Sequence, residues 1–331
     1  MRSRGRAAQE SDLSDLKTLS AKLKAVLGEG RVRENEPMSA HTTFRAGGPA
    51  DLYAAPESEG GVCRAVRICR EEGVEPFILG NGSNLLVSDA GYRGVVLDLS
   101  GLTDCAQVFD SEGCSNVQRA LRQVCIEAGA GVKLSALARF ALEKGAAGLE
   151  FAAGIPGTVG GAAVMNAGAY GGEMKDVLRT VTVLTPEGSI QNLFNADLDL
   201  GYRHSCIPEK GYIVLAAEFV LQKGDPEKIR ALMDDLAVKR REKQPLEFPS
   251  AGSTFKRPEG YFAGKLIQDA GLSGYRIGGA CVSPKHCGFV VNDQGGTASD
   301  IYRVICDVQE KVFEVHGVKL TMEVKLLGDF S

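Results

Sequence analysis

The chain has 331 residues, a formal net charge of −4, 44% hydrophobic residues and 24% charged residues. This composition indicates a globular protein of two or three compact units, and it argues against a nucleic-acid binder that works by neutralising phosphates. Because no apolar run approaches the roughly 20 residues of a membrane helix, we expect a soluble protein without membrane contact.

The nine cysteines are scattered, form no CxxC pair and follow no apolar signal-like stretch. We therefore expect reduced, mostly buried thiols in a cytoplasmic protein. A zinc site is not expected, because Cys281 and Cys287, with His286 between them, lack the usual ligand spacing and a second ligand pair. The sequence predicts no metal.

In chain order, residues 1–10 are basic and small and are typical of a disordered tail. Leucines at helical spacing then predict a helix that ends at Gly28 and Gly30. From about residue 36 to 222, short apolar runs alternate with helix-like segments. The pattern predicts helices over 61–73 and 133–145, and strands over 77–80, 95–100, 180–184 and 212–221.

A charged helix over 226–244 follows and predicts the start of a separate domain near residue 223. Beyond it, the pattern predicts helices at 262–270 and 297–315 and strands at 289–292 and 320–328. We therefore expect an α+β protein in four parts. These are an N-terminal extension and helix (1–35), two lobes (36–100 and 101–222) and a C-terminal domain (223–331).

Two glycine-rich segments, residues 78–89 and 152–172, place glycine beside Ser, Thr or Asn with almost no charge. Their backbone N–H groups and small hydroxyls can surround a diphosphate. One such loop is more often a tight turn, but two in one domain favour binding. Residues 80–85 lack the third glycine of GxGxxG, and residues 260–266 resemble a P-loop only superficially. Neither a plain Rossmann fold nor NTP hydrolysis is expected.

The motifs GNGSNLL and AGIPGTVGGAAVMNAGAYG are similar to the FAD-binding half of UDP-N-acetylenolpyruvoylglucosamine reductases. The pieces HTTFRAGG (41–48), YRHS (202–205), residues 249–274 and MEVKLLG (322–328) follow in that family's order. The chain most resembles the shorter subclass, which lacks an inserted loop. The resemblance implies a two-lobed FAD-binding domain of the vanillyl-alcohol-oxidase type and a C-terminal α+β domain that binds the UDP-sugar.

The family reaction implies non-covalent FAD, NADPH as hydride donor, and reduction of UDP-N-acetylglucosamine enolpyruvate to UDP-N-acetylmuramate for peptidoglycan. By resemblance, Arg203 stabilises charge on the substrate carboxylate, Ser253 donates the final proton, and Glu323 is a neutral acid beside that carboxylate. On pattern alone, each of these residues is more often structural. Only the resemblance favours a catalytic role over a structural one for these three residues.

The resemblance also implies two sets of binding residues. Those expected along FAD are Arg45, Gly80, Asn81, Gly82, Ser83, Asn84, Leu85, Gly154, Ile155, Pro156, Gly157, Thr158, Gly160, Gly161, Asn166 and Gly168. Those expected at the UDP-sugar are Tyr202, Arg241, Lys256, Arg257, Lys265 and Gln268. Lys325 stands where many relatives carry arginine. A monomer serving cell-wall synthesis and cell division is favoured.

Two alternatives remain open. A flavoprotein oxidase or dehydrogenase with the same lobes often tethers its flavin through His or Cys, but no histidine occurs between residues 42 and 203 and the two glycine-rich segments contain no cysteine. A flavin- or nucleotide-binding regulator without catalysis would require the set of Arg203, Ser253 and Glu323 to be broken, and it is intact.

Overall fold

The computed structural model describes the backbone of residues 2–108 and 123–331, and the side chains of residues 15–106 and 123–331. The chain contacts divide it into two units. The first unit comprises residues 1–32, 54–81 and 96–240, and the second comprises residues 33–53, 82–95 and 241–331. Each unit mixes helices and strands, which confirms the α+β class.

Most predicted helices and strands are present, with bounds shifted by a few residues. Among the described residues, the helices are α1 (Arg2–Leu27), α2 (Glu59–Glu71), α3 (Leu134–Glu143), α4 (Val159–Met165), α5 (Pro226–Lys243), α6 (Ala263–Asp269) and α7 (Ala298–His316). The strands are β1 (Val32–Pro37), β2 (Pro49–Ala54), β3 (Phe77–Leu79), β4 (Leu85–Val87), β5 (Tyr92–Asp98), β6 (Cys105–Val108), β7 (Gln123–Gly129), β8 (Ala146–Ala147), β9 (Gly168–Ala169), β10 (Gly172–Glu173), β11 (Leu178–Leu184), β12 (Ile190–Phe194), β13 (Ile213–Lys223), β14 (Arg276–Ile277), β15 (Ala280–Val282), β16 (Val290–Asn292) and β17 (Lys325–Leu327).

The main sheet of the first unit has the strand order β12-β11-β13-β7-β6, with antiparallel neighbours. Its central strand β13 is buried along most of its length, and Phe219 and Leu221 point to the same face because side chains alternate along a strand. Helix α4 packs on β13. The glycine-rich segment that contains α4 is therefore supported by the rigid centre of the sheet.

Helix α7 forms the centre of the second unit. Thr297 and Asp300 form a reciprocal capping box at its start, and Gly317 ends it in the left-handed conformation. Its buried side chains recur at helical spacing and pack in one cluster with Phe44, Leu86 and Phe255. In the same unit, β14, β15 and β16 form an antiparallel sheet, and β17 pairs in parallel with β4.

Two expectations about the ends of the described chain are wrong. Residues 2–10 are helical rather than a disordered tail, and most of them, such as Ala7 and Ala8, are good helix formers. The strand expected over 320–328 is limited to β17, and Met322 forms only an isolated bridge with Phe255. The expected alternation of buried and exposed side chains fails after Val324, since Leu326 is 38% exposed.

The cysteines also differ from expectation at one position. Seven of the described cysteines are free thiols, but Cys125 is disulfide-bonded, so the expectation of a fully reduced set is wrong there. Cys114 lies outside the described residues. Burial raises the pKa of the Cys69 thiol to about 12 and that of Cys105 to about 11. These two thiols therefore stay protonated and unreactive at neutral pH.

Candidate active site

The start of the first glycine-rich segment, residues 78–81, lies beside the second segment within the first unit. A Cβ built on Gly80 would stand 2.7 Å from Oγ1 of Thr158, which belongs to the other segment. Next to this contact, the side-chain amide of Asn81 donates to the carbonyl of Pro156 at 3.2 Å. Gly80 therefore permits a backbone approach that a side chain would block.

The backbone N–H groups that come directly after Gly80 are not used among the residues that the structure describes. Within the described part of the chain, no protein acceptor takes the backbone N–H of Asn81, Gly82 or Ser83. Gly161 is exposed, and a Cβ there would meet no atom closer than Oγ1 of Thr158 at 3.7 Å. Consecutive free backbone N–H groups can form a concavity that suits an anion. The residues present therefore fit a dinucleotide diphosphate.

Other glycines of the second segment serve internal packing. The N–H of Gly160 donates to the carbonyl of Ala130 at 2.9 Å, and Gly157 donates to the carbonyl of Ile155 at 2.9 Å. A Cβ on Gly168 would meet Glu173 at 2.8 Å. Gly157 and Gly160 therefore shape the loop without leaving their own backbone N–H groups free, and Gly168 allows a close approach to Glu173.

Gly82 is the most constrained glycine of the first segment. Its φ is +57°, and a Cβ built on it would lie 1.9 Å from the carbonyl oxygen of His41. The Gly82 carbonyl also accepts the N–H of Thr43 at 3.2 Å. The loop therefore cannot hold this position with a larger residue.

The substitution Gly82→Ala is expected to destabilise the protein by about 2–4 kcal/mol and to release flavin, because the new Cβ collides with backbone. The matched control is Gly274→Ala, where φ is +75° and a Cβ would meet nothing within 4 Å. It should cost only about 1–2 kcal/mol from left-handed strain. Urea unfolding and flavin content measure both variants. Equal flavin retention in the two would show that the His41 contact does not shape the loop.

In the second unit, the segments that carry Ser253 and Glu323 pair directly. The N–H of Glu323 donates to the carbonyl of Thr254 at 2.8 Å, and the N–H of Lys256 donates to that of Thr321 at 2.8 Å. Thr254 is fully buried, and its hydroxyl oxygen accepts the N–H of Val290 at 3.0 Å. The exposed Ser253 therefore sits one residue from a fixed contact with Glu323.

Asn84 connects the first glycine-rich segment to the segment that carries Glu323. Its side-chain amide donates to the carbonyl of Glu323 at 3.0 Å, and its own carbonyl accepts the N–H of Lys325 at 3.0 Å. These bonds begin the parallel pairing of β4 with β17, in which Lys325 is opposite Leu85. The loop of Gly82 and Ser83, the serine segment and the glutamate segment thus meet within one unit.

Arg203 belongs to the first unit. It lies in a tight turn with φ of +53°, and its guanidinium donates to the carbonyl of Gly168 at 3.4 Å. The same group stands 5.2 Å from the ring of Tyr202, which is exposed. In the second unit, Arg45 is exposed in the left-handed conformation, with φ of +54°.

The basic residues expected at the UDP-sugar have different surroundings. Arg257 stacks 4.0 Å above the ring of Phe262, and Lys265 forms an ion pair with Asp269 at 2.6 Å. Arg241 and Gln268 are exposed. Only Lys256 and Arg257 directly continue the Ser253 segment, and only Lys256 takes part in its pairing with residues 321–323.

Arg240 was not among the residues predicted from the sequence, whereas its exposed neighbour Arg241 was. Arg240 is 8% exposed, its guanidinium donates to the carbonyl of Gly154, and it lies 5.7 Å from the ring of Tyr170. Burial lowers the pKa of Arg240. Helical spacing could have found this residue, since the residues that share its face of α5 are Ile229, Met233 and Leu236.

His286 has a structural environment. Its Nδ1 accepts the N–H of Gly288 at 3.1 Å, and its ring meets Phe289 edge-on with centroids 5.0 Å apart. Burial lowers the pKa of His286, so the neutral ring persists below its usual titration range. Within the described chain, no group of three His, Cys, Asp or Glu side chains could hold a metal ion. The helices of the described residues include no candidate for a membrane-spanning segment.

Comparisons with known proteins identify relatives of this chain. A protein-family model described as UDP-N-acetylenolpyruvoylglucosamine reductase, C-terminal domain, matches residues 244–327. A second family model, described as FAD binding domain, matches residues 50–193. The UDP-N-acetylenolpyruvoylglucosamine reductase of Agathobacter rectalis is 52% identical over 304 residues, which cover 90% of this chain and 94% of that protein. The one from Lachnoclostridium phytofermentans is 49% identical over 307 residues, covering 93% of this chain and 96% of that protein.

A solved structure agrees in fold. The crystal structure of UDP-N-acetylenolpyruvylglucosamine reductase from Thermus caldophilus matches with a TM-score of 0.74 and 33% identity, covering 90% of this chain and all of that chain. The expected combination of an FAD-binding domain with a C-terminal α+β domain is confirmed. The chain is an oxidoreductase that belongs to the UDP-N-acetylenolpyruvoylglucosamine reductase family.

Proposed function

We propose that the protein reduces UDP-N-acetylglucosamine enolpyruvate to UDP-N-acetylmuramate with NADPH, through non-covalent FAD, in the cytoplasmic synthesis of peptidoglycan. The names and identities of its relatives support this activity. The observation that carries the proposal is the junction in the second unit, where Asn84 and Thr254 both hydrogen-bond the backbone of Glu323. These bonds support the proposal, because they bring the loop of Gly82 and Ser83 close to the segments of Ser253 and Glu323.

When bound, FAD would supply the hydride transfer from NADPH to the terminal carbon of the enolpyruvyl group. The free N–H groups of Asn81, Gly82 and Ser83 would hold its diphosphate. Because the dinucleotide has no covalent anchor in this proposal, these donors and the glycine packing fix its position.

The side chains complete the reduction on the substrate. Hydride addition to the terminal carbon places negative charge on the substrate's carboxylate, and the guanidinium of Arg203 balances it. Ser253 gives its hydroxyl proton to the adjacent carbon, and the serine recovers a proton from water. Glu323, as a neutral acid, hydrogen-bonds the carboxylate. Hydride and proton together convert the carbon–carbon double bond into a lactyl ether.

An anaerobic flavin assay tests the proposed function. Flavin bound to the protein and reduced with NADPH is expected to reoxidise when the enolpyruvyl UDP-sugar is added, and to stay reduced with UDP-N-acetylglucosamine. Absorbance of the oxidised flavin follows the reaction, and mass measurement of the product should show the gain of two hydrogens. Reduced flavin that is stable to the enolpyruvyl sugar would reject the proposed reaction.

A further inference from the structure

The turn that presents Arg203 has an unfavourable backbone. Gly201 and His204 close it with reciprocal hydrogen bonds of 3.1 and 3.2 Å between their N–H and carbonyl groups. Arg203 lies between them with φ of +53°, in the left-handed region that side chains such as arginine rarely adopt. Surrounding contacts must therefore hold the turn in this form.

Asn166 supplies one such contact. It follows α4 in the left-handed conformation, and protein atoms alone bury it, with 0% exposure. Its amide nitrogen donates to the carbonyl of Gly201 at 3.0 Å and to Oε2 of Glu173 at 2.7 Å. Its amide oxygen accepts the N–H of Lys175 at 2.9 Å. Both N–H donors of the amide are committed inside the protein, which leaves none for a ligand.

Ser205 fastens the other side of the turn. It is 3% exposed, and its hydroxyl donates to the carbonyl of Val164 at 2.6 Å. Val164 belongs to the last turn of α4, two residues before Asn166. Residues on both sides of the arginine turn are thus bonded to one end of a single helix, and that helix packs on the central strand β13.

We infer that Asn166 and Ser205 are positioning residues for Arg203, holding its turn so that the guanidinium points in one direction. The inference rests on the proposed function of Arg203 and assigns Asn166 to the arginine turn rather than to the flavin. A misplacement of about 1 Å in a catalytic group can lower the rate about 100-fold. Loss of the Asn166 amide should therefore slow flavin reoxidation by the enolpyruvyl sugar, which is the step that uses Arg203. It should spare flavin reduction by NADPH.

The first test is Asn166→Gly, which removes the amide and keeps a residue suited to the left-handed conformation. Its matched control is Asn195→Gly, whose amide also donates to two carbonyls, those of Lys175 and Leu178, but to none on the turn. In Asn166→Gly we expect flavin content and NADPH reduction within about twofold of wild type. Reoxidation by the enolpyruvyl sugar should slow about 10–100-fold. Asn195→Gly should change neither step by more than about twofold.

A tryptophan reporter gives a readout that does not depend on activity. The chain has no tryptophan, so Tyr202→Trp places a single indole beside Arg203. Adding Asn166→Gly or the milder Ser205→Ala to this variant should lower the fluorescence anisotropy of the indole, and adding Asn195→Gly should not. Because Ser205→Ala removes one hydroxyl only, it keeps the test usable if Asn166→Gly fails to fold.

Two results would overturn the inference. One is a fall in flavin content, or in NADPH reduction, equal to the fall in reoxidation, since a flavin contact would behave in that way. The other is unchanged anisotropy with both positioning variants. If wild-type protein itself fails to reduce the enolpyruvyl sugar, the proposed function fails, while the anisotropy still reports whether the turn is held.

Discussion

Ser253→Ala is expected to slow flavin reoxidation by the enolpyruvyl sugar about 10²–10⁴-fold, the range typical of a lost proton donor. Reduction of the flavin by NADPH should remain nearly intact, because that step needs no proton on substrate carbon. Ser253 is exposed, whereas the adjacent Thr254 is buried and fixed by three hydrogen bonds. The alanine therefore removes a hydroxyl without loosening the segment. Single-turnover stopped flow under anaerobic conditions measures the two steps separately.

The matched control is Ser250→Ala in the same segment. Ser250 takes part there through a backbone bridge to Val291, which alanine preserves. Both half-reactions of this control should stay within about twofold of wild type. An equal loss of both half-reactions in Ser253→Ala, or no loss in either, would contradict the role of proton donor.

Glu323→Ala should slow the same oxidative step about 10²–10³-fold, and Glu323→Gln only about 10-fold, because glutamine keeps a neutral hydrogen-bond donor beside the substrate carboxylate. The backbone of Glu323 is fixed independently of its side chain by Thr254 and Asn84. The comparison therefore reports on the carboxyl group itself. Rates of flavin reoxidation at saturating substrate provide the measurement.

Thr321→Ala is the control for this pair, since Thr321 is exposed on the same segment and contributes its carbonyl to the pairing. It should behave as wild type in both steps. If glutamine proves more harmful than alanine at position 323, Glu323 does not act as a neutral acid.

Amphipathic helices were the most predictable part of the fold. Helix α7 shows why, because Thr297 and Gly317 mark its ends and its buried residues recur at helical spacing. The segment around Glu323 was harder. Its alternating pattern predicts a strand over 320–328, but partners decide where pairing occurs, and β4 engages only Lys325 to Leu327.

The candidate site was predictable as a set of residues and not as an arrangement. Motif resemblance selected Ser253 and Glu323, but the backbone pairing of Thr254 with Glu323 joins segments far apart in the chain, which no local pattern encodes. The same limit applies to Asn166, whose motif indicates a ligand contact while its burial and its bond to Gly201 depend on tertiary packing. Arg240 differs from these residues, because helical spacing alone places it on the apolar face of α5.

The second unit is assembled from three separate stretches of chain, and this has a consequence during synthesis. Phe44 and Leu86 pack in one cluster with Val304 and Ile305, all of them fully buried. The ribosome makes residues 96–240 before any of the last stretch emerges, a delay of about 7–30 s at about 5–20 residues per second. Until then these early apolar segments lack their final neighbours, so the nascent chain exposes them to chaperones and to aggregation.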